Sequence, residues 1–392
     1  MEEQKAASTH KKLIRRCPMA IRCWAGIGLI LTVYFLTLRP ALGADPSSVR
    51  AKQKAESEGY VFITSHDEIV EKAKREGKLA VIRGLQSETN QALISAFRQK
   101  YSFITDVTEF EFKGTEAPQR FILELQAGKG REWDAFDVAA ELHDEFLPYL
   151  KKFDVLGMAR EGILAIPIEM VDPKSRSVVS IASVLHVVAY NKKAISEDKV
   201  PKSWEDFLNP ELKGKKFMTD IRPQGFAALA PGMGEQRMLE YARKIREQQP
   251  IWVRGTKPLT DIATGEGTMY HLAQYHSCMR AREKALRMFD IAGCKITEPV
   301  PVRLGERTGI SLFAAHPHVA LLWIEFQASA TAQQIIDRHE PLRSSIYAPG
   351  SELNKLVKGK QLTVNDWRTF HNTERWMKLI VNAFGLPQAE TR

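Results

Sequence analysis

The feature that most narrows what this chain can fold into is an alternation running over residues 65–140. "SHDEIVEKAKREGK" has helical periodicity, with acids in its first turn, bases in its last and Gly77 as its stop; Ser65 or Asp67 can cap it. "LAVIRG" is a short apolar run ended by glycine, the pattern of a buried strand. "QSETNQALISAFRQKY" then places Ala92, Leu93, Ala96, Phe97 and Tyr101 on one helical face. "FITDVTEFEF" reads as a strand, "EAPQRFILELQAGKG" as a helix and "WDAFDVAA" as a third strand. Strands alternating with helices over short links predict a parallel sheet covered by helices, an α/β fold.

Near Ile181 the pattern changes. "IASVLHVVAYN" is a β-rich run long enough to cross from one domain to another, and 392 residues suit about two domains. The stretch "VPKSWEDFLNPELKGKKFM" follows. Ser203 and Asp206 resemble a capping box, Pro210 stops a short helix at Asn209, and Gly214 can take the left-handed turn before the strand "KFMTDI". Trp204 reads as a packing residue. A helical region over 226–249, the segments "PIWVRG" and "LRMFDIAG", and a strand, break and long helix within 308–339 come next. The tail after Glu340 reads as mostly helical. There is no repeat and no low-complexity segment.

Residues 1–44 stand apart. Six Lys and Arg residues precede an uncharged run of 16 residues over 23–38, and Arg39, Pro40 and the small residues "ALGA" follow. A basic region, a short apolar core and small residues form a secretory signal, predicting cleavage near Gly43 or Ala44 and a periplasmic product. The run falls short of the ~20 residues that span a bilayer; a retained anchor is the alternative. This segment carries +5 of the net +9, so the remainder is only mildly basic. Its lysines alternate with glutamates, and no basic stripe is interleaved with aromatics, so nucleic acid is not an expected partner. Cys278 and Cys294 remain, either paired in an oxidising compartment or as two separate buried thiols.

No nucleophile elbow, zincin helix, P-loop or dinucleotide fingerprint occurs, so the reading is not an enzyme. His316 and His318 flank Pro317 before a helix, and a metal pair there is the alternative to a structural role.

The run "VVAYNKKAISEDKVPKSWEDFLNPELKGKKFMTDIRP" resembles the beginning of the second lobe of extracellular solute-binding proteins of ABC importers, in the type II class of the ferric-ion- and phosphonate-binding group. "HDEIVEKAKREGKLAVI", "GEGTMYHLAQYHS" and "HPHVALLWIEFQASATAQQII" resemble that group's opening helix and strand, its second-lobe ligand segment and its returning helix. The resemblance covers roughly residues 68–350. It implies a two-lobed type II periplasmic-binding-protein fold with a ligand cleft between lobes. Lobe one would comprise 60–182 plus 314–392 and lobe two 183–313, with crossings at 181–191 and near 309–313. It implies a periplasmic receptor, a monomer with no cofactor, that captures a small solute by lobe closure and passes it to an ABC permease in the inner membrane.

Ligands of open α/β sheets sit where strands end and helices begin, and helix N-termini attract anions. That rule selects Gly84, Gln86 and Ser87 after the first strand, Glu141 after the third, and Arg222, Gln224 and Gly225 in "DIRPQGFAA". Arg222 can pair bidentately with a carboxylate or phosphonate. "GTMYHLAQYHS" adds Tyr270, Tyr275 and His276, with His271 read as structural. In the resembling group, iron binders place a histidine about where Gln86 stands and paired tyrosines where Tyr275 and His276 stand. With one tyrosine and no first-lobe histidine, the set is poor for Fe3+, which prefers hard oxygen ligands. The expected ligand is an organic anion or a phosphonate-like solute. Ferric iron is the alternative ligand; an exported enzyme or an anchored sensor on the same fold are further alternatives.

Overall fold

A computed structural model describes residues 46–112, 116–286 and 292–386. The segment read as a secretory signal lies outside these residues. Among those described, no helix is long and apolar enough to cross a membrane.

The alternation forms as read. After α1 (Pro46–Ser57), α2 (His66–Glu76) ends on Gly77 at φ 64°, whose N–H caps Ala73 O, and buries Ile69 and Ala73. Then follow β1 (Lys78–Arg83), α3 (Ser87–Lys100), β2 (Asp106–Glu111), α4 (Ala117–Gln126) and β3 (Ala135–Val138). Strand β1 pairs in parallel with both β2 and β3. A short helix α5 (His143–Phe146), α6 (Val155–Arg160) and β4 (Val179–Ser180) complete the first half.

The chain passes to a second sheet through β5 (Ser183–Asn191), buried along its whole length. Next come β6 (Met218–Asp220), α7 (Gln224–Met233), α8 (Glu235–Glu247), β7 (Ile251–Val253), α9 (Lys257–Thr264), β8 (Met269–Gln274), α10 (Tyr275–Leu286), β9 (Ala292–Lys295) and β10 (Val300–Leu304). It returns in β11 (Arg307–Ile310), followed by α11 (Pro317–Ala328), α12 (Ala330–His339), α13 (Glu352–Val357), β12 (Leu362–Asn365), α14 (Trp367–Phe370) and α15 (Thr373–Phe384). The first sheet runs β2-β1-β3-β11-β4; the second runs β12-β10-β5-β8-β6-β7, with β9 beside β5.

Four differences from the sequence reading have local causes. The second crossing falls between β10 and β11, at residues 305–306, earlier than 309–313. There Ile181 N donates to Glu306 O (2.8 Å) and Gly305 N to Ala182 O (2.9 Å). A Cβ on Gly305 would stand 2.9 Å from the Ala182 carbonyl carbon, so the two crossing segments touch only because residue 305 is glycine. The tail leaves lobe one: β12 pairs with β10, and Trp376, Ile380 and Phe384 of α15 join the core of the second sheet. Spaced i, i+4 and i+8, they form a stripe that α7 and α8 cover. The long returning helix breaks into α11 and α12 because the Ser329 hydroxyl caps Ala332 N. The capping box forms, with Ser203 Oγ donating to Asp206 Oδ1 (2.9 Å) and Asp206 N donating to Ser203 Oγ (3.2 Å), but it starts a 3-10 turn over Glu205–Leu208.

Trp204 is fully buried and its Nε1 donates to Pro299 O at 2.8 Å, as a core residue should. Cys278 and Cys294 form a disulfide joining α10 to β9.

Candidate functional site

The first and second sheets meet at the paired crossings, and charge is concentrated there. Arg303 lies next to the end of β10, Glu306 and Arg307 follow, and Arg343 comes in from the loop after α12. Arg343 donates to the carboxylate of Glu306 and to the imidazole of His276, and its Nε stands 3.4 Å from Glu340. Arg307 is locked by Val138 O (3.2 Å), Leu304 O (3.0 Å) and Gly305 O (3.1 Å), with its guanidinium over the Phe370 ring. Arg83 stands 3.4 Å from Asp137, whose Oδ2 accepts from Gly84 N at 2.7 Å. A Cβ on Gly84 would meet the Glu306 carboxylate, so glycine lets β1 end against the crossing.

Two of these cations are poorly satisfied: Arg83, none of whose guanidinium nitrogens has a hydrogen bond although Asp137 lies beside it, and Arg303. The Nε of Arg303 is buried with no hydrogen bond, and its Nη1 reaches only Leu304 O at 3.4 Å. Burial and then the neighbouring Arg307 pull its pKa down to about 10. The same field acts on two histidines: burial and Arg303 hold His186 down to about 3, and burial and Arg343 hold His276 well below its ordinary value. Both are neutral imidazoles. Asp137 is pushed up to about 6, mainly by burial, against the pull of Arg83.

The second-lobe wall is the start of α7. Gln224 Nε2 donates across to the Glu141 carboxylate, joining two residues chosen from sequence on opposite lobes. Gly225 is required by packing: a Cβ would stand 2.8 Å from Leu272 Cβ and 3.1 Å from His186 Nδ1. Leu272 sits at φ 56° where the β5–β8 register shifts, and its carbonyl contacts His186 Nδ1 at 2.9 Å. Arg222, Gln224, Gly225 and Tyr270 line one cavity of about 40 Å³ together with Asp220 and Ser277. Asp220 organises it, receiving the Arg222 N–H (2.8 Å) and the Tyr270 hydroxyl (3.2 Å) and pairing with the Arg222 guanidinium (3.3 Å).

The other chosen residues fall elsewhere. Gln86 precedes α3, its N–H bonded to Glu340 (3.0 Å), and faces a cleft of about 510 Å³ whose far wall carries Arg280 and Lys284 of α10. Ser87 donates to Glu111 at 2.8 Å. Tyr275 packs half-buried against the second core, and burial raises its pKa, so it stays a phenol. His276 is buried, with Arg343 as its partner. His271 is structural as read, ringed by Trp204, Phe207, Phe217 and Phe226. His316 and His318, at the start of α11, each bond a different carboxylate, Asp134 (2.9 Å) and Glu76.

The sequence reading missed Arg303, Glu306, Arg307 and Arg343. The one local signal is arginine within the apolar run "VPVRL", since a charge in a buried strand must have a partner. His143, Asp144 and His371, which the sequence reading did not single out, come together within one cavity.

A sequence model of bacterial extracellular solute-binding proteins matches residues 136–373. Among solved structures, the apo ferric ion-binding protein A of Pasteurella haemolytica has a TM-score of 0.59 at 16% identity, over 80% of this chain and 100% of that one. Iron-bound HitA from Pseudomonas aeruginosa gives 0.55 at 16% identity, over 78% and 99%. The substrate-binding protein of an ABC transporter from Agrobacterium tumefaciens gives 0.58 at 16% identity, over 78% and 95%. These likenesses show the fold. No curated protein matches the chain.

Proposed function

The chain belongs to the bacterial extracellular solute-binding proteins, and from that premise we propose that it captures a small organic anion or phosphonate-like solute in the periplasm and delivers it to an ABC permease. Its family is one of binding proteins rather than enzymes. The mechanism is lobe closure: a ligand touching both lobes stabilises the closed form by the difference between its affinities for the two states.

The observation that carries the anion reading is the excess of cationic donors where the lobes meet. Arg303 has an unused buried Nε, and burial with Arg343, Arg280 and Arg303 keeps His276 neutral, as burial with Arg303 does His186. A bare Fe3+ would be repelled by that field, and His276 already accepts from Arg343. A carboxylate or phosphonate would supply the missing acceptor at Arg303 and meet the N–H groups at the start of α7. The roles assigned are Arg303 as anion anchor, Gln224 and Gly225 as backbone and amide donors, and Gln86 with Arg280 at the cleft mouth.

The ferric alternative rests on the fold neighbours, one of them solved from Trichodesmium in complex with iron and citrate. Here the residue types argue against it, since Tyr275 is the single phenol at the expected pair. Native mass spectrometry of the protein purified from its own periplasm tests the proposal. The expected result is a bound anion, lost in Arg303→Met, with compaction of the wild type in X-ray scattering on adding that anion. A bound sugar or cation, or a charge-transfer colour with ferric ion that disappears in Tyr275→Phe, would overturn it.

A further inference from the structure

Next to Glu141, at the edge of the cleft, His143, Asp144 and His371 each present a ligand atom within 4.8 Å of the other two. They line a cavity of about 110 Å³ between α5 and the residues that follow α14. His143 is buried, His371 partly so, and Asp144 is exposed.

A single carboxylate orients both imidazoles. Asp172 is fully buried; its Oδ2 stands 3.3 Å from His143 Nε2 and its Oδ1 stands 3.3 Å from His371 Nε2. Asp172 also accepts from Lys174 N (3.0 Å) and Ser175 N (3.2 Å), so it acts as an acceptor throughout. Both Nε2 atoms are therefore protonated, and in the neutral imidazole, the form a metal binds, Nδ1 of each ring carries the lone pair. His143 Nδ1 is buried with no hydrogen-bond partner, which leaves an unmet acceptor in a residue only 4% exposed. Phe370 and Trp367, with ring centroids 5.1 and 5.9 Å from His143, wall the rings in place.

We propose that His143 and His371 through Nδ1, with Asp144, bind one divalent transition metal of the zinc class, and that Asp172 is the outer carboxylate that fixes both ligands. A carboxylate holding the far N–H of a ligating imidazole is the usual support of such a site. Two imidazoles and a carboxylate suit zinc and leave a fourth position open. Tetrahedral bonds of about 2.0–2.1 Å put ligand atoms roughly 3.4 Å apart, so metal binding would draw in groups that already lie within 4.8 Å of one another. The metal would fasten the segment just after Glu141 to the loop between β12 and α15, and so brace a lobe-one turn on the tail that packs with lobe two. This inference does not depend on the identity of the transported solute.

The test is titration of the full mature chain, stripped with chelator, with Zn2+ by calorimetry and with Co2+ by visible absorption. One Zn2+ per chain is expected, with Co2+ bands of a four-coordinate site. His371→Ala and Asp144→Asn should each abolish binding, Asp172→Asn should weaken it about 10–100-fold, and Arg303→Met should leave it unchanged. Circular dichroism shows whether each variant is folded; Asp144 is exposed, so Asp144→Asn keeps the test open if His371→Ala does not fold. No Zn2+ bound by the wild type, or binding unchanged in folded Asp144→Asn and Asp172→Asn, would overturn the proposal.

Discussion

Lowering the pH from 6 to 4 should destabilise this protein through its buried histidines. His186 and His271 are held down to about 3, in both cases first by burial, and His276 is held well below its ordinary value by burial and Arg343. In the unfolded chain each titrates near 6.5. Between these limits the unfolded chain binds a proton that the native protein refuses. Stability from each histidine is therefore complete above 6.5 and falls as the pH drops toward the folded value. Each costs about 1.4 kcal/mol per pH unit, so three cost about 4 kcal/mol per unit. Asp137 works in the opposite direction: raised to about 6 chiefly by burial, it binds its proton in the native state first and returns about 1.4 kcal/mol per unit between 6 and its ordinary 3.8. The net slope is roughly 3 kcal/mol per unit, or about 5–6 kcal/mol from pH 6 to 4, against a total of about 5–15 kcal/mol for a typical protein. Urea unfolding followed by far-ultraviolet circular dichroism at half-unit pH steps measures that slope. His271→Phe should flatten it by about 1.4 kcal/mol per unit, since the ring sits among four aromatic side chains and Tyr241 keeps Trp204 O as acceptor at 2.8 Å. Stability that varies by less than 1 kcal/mol across this window, on the scale of ~1.4 kcal/mol for a single proton, would refute the assignment of neutral buried imidazoles.

Two further outcomes follow from packing. Gly225→Ala places a Cβ 2.8 Å from Leu272 Cβ and 3.1 Å from His186; a loss of about 1–3 kcal/mol is expected, read as a lower urea midpoint at unchanged slope, and an unchanged midpoint would contradict the packing. The Cys278–Cys294 disulfide closes a separation of 16 residues; the double alanine variant should lose about 3 kcal/mol, and equal midpoints with and without reductant in the wild type would contradict a role in stability.

Much of the first sheet is legible in the sequence because its determinants are local. Gly77, the acid and base ends of α2 and the stripe of α3 act within one or two turns. The start of α7 was legible for the same reason: a strand end, a proline and a glycine mark a helix N-terminus, which brought Arg222, Gln224 and Gly225 to one cavity with Tyr270. What the sequence hides is set by partners far along the chain. Arg303 faces the junction because β10 lies between β5 and β12, while Arg307 is fixed by β3 and β4. Nothing in "VPVRLGERTG" states those pairings. His143 and His371 are joined by a carboxylate at position 172, a relation that only the folded tail creates. The tail itself was assigned to the wrong sheet because α15 is amphipathic, and periodicity shows that a face is buried without showing against what.

The contacts that span the rim of the cleft bear on how closure is driven. Glu141 with Gln224 and Glu116 with Arg254 (3.4 Å) join the lobes, and both pairs are exposed. Exposed polar pairs contribute about 0–1 kcal/mol each. Moving a two-state equilibrium from 1:99 to 99:1 takes about 5.5 kcal/mol. The rim pairs fall well short of that, so under the proposed closure most of the difference would come from groups that a solute completes. On the proposed reading Arg303 is such a group, because a charged donor that is buried and unmet carries a desolvation penalty that an anion enclosed by both lobes would remove. A receptor built this way binds by relieving a cost already present in the protein, and its closure should therefore track the charge of the solute more closely than its size.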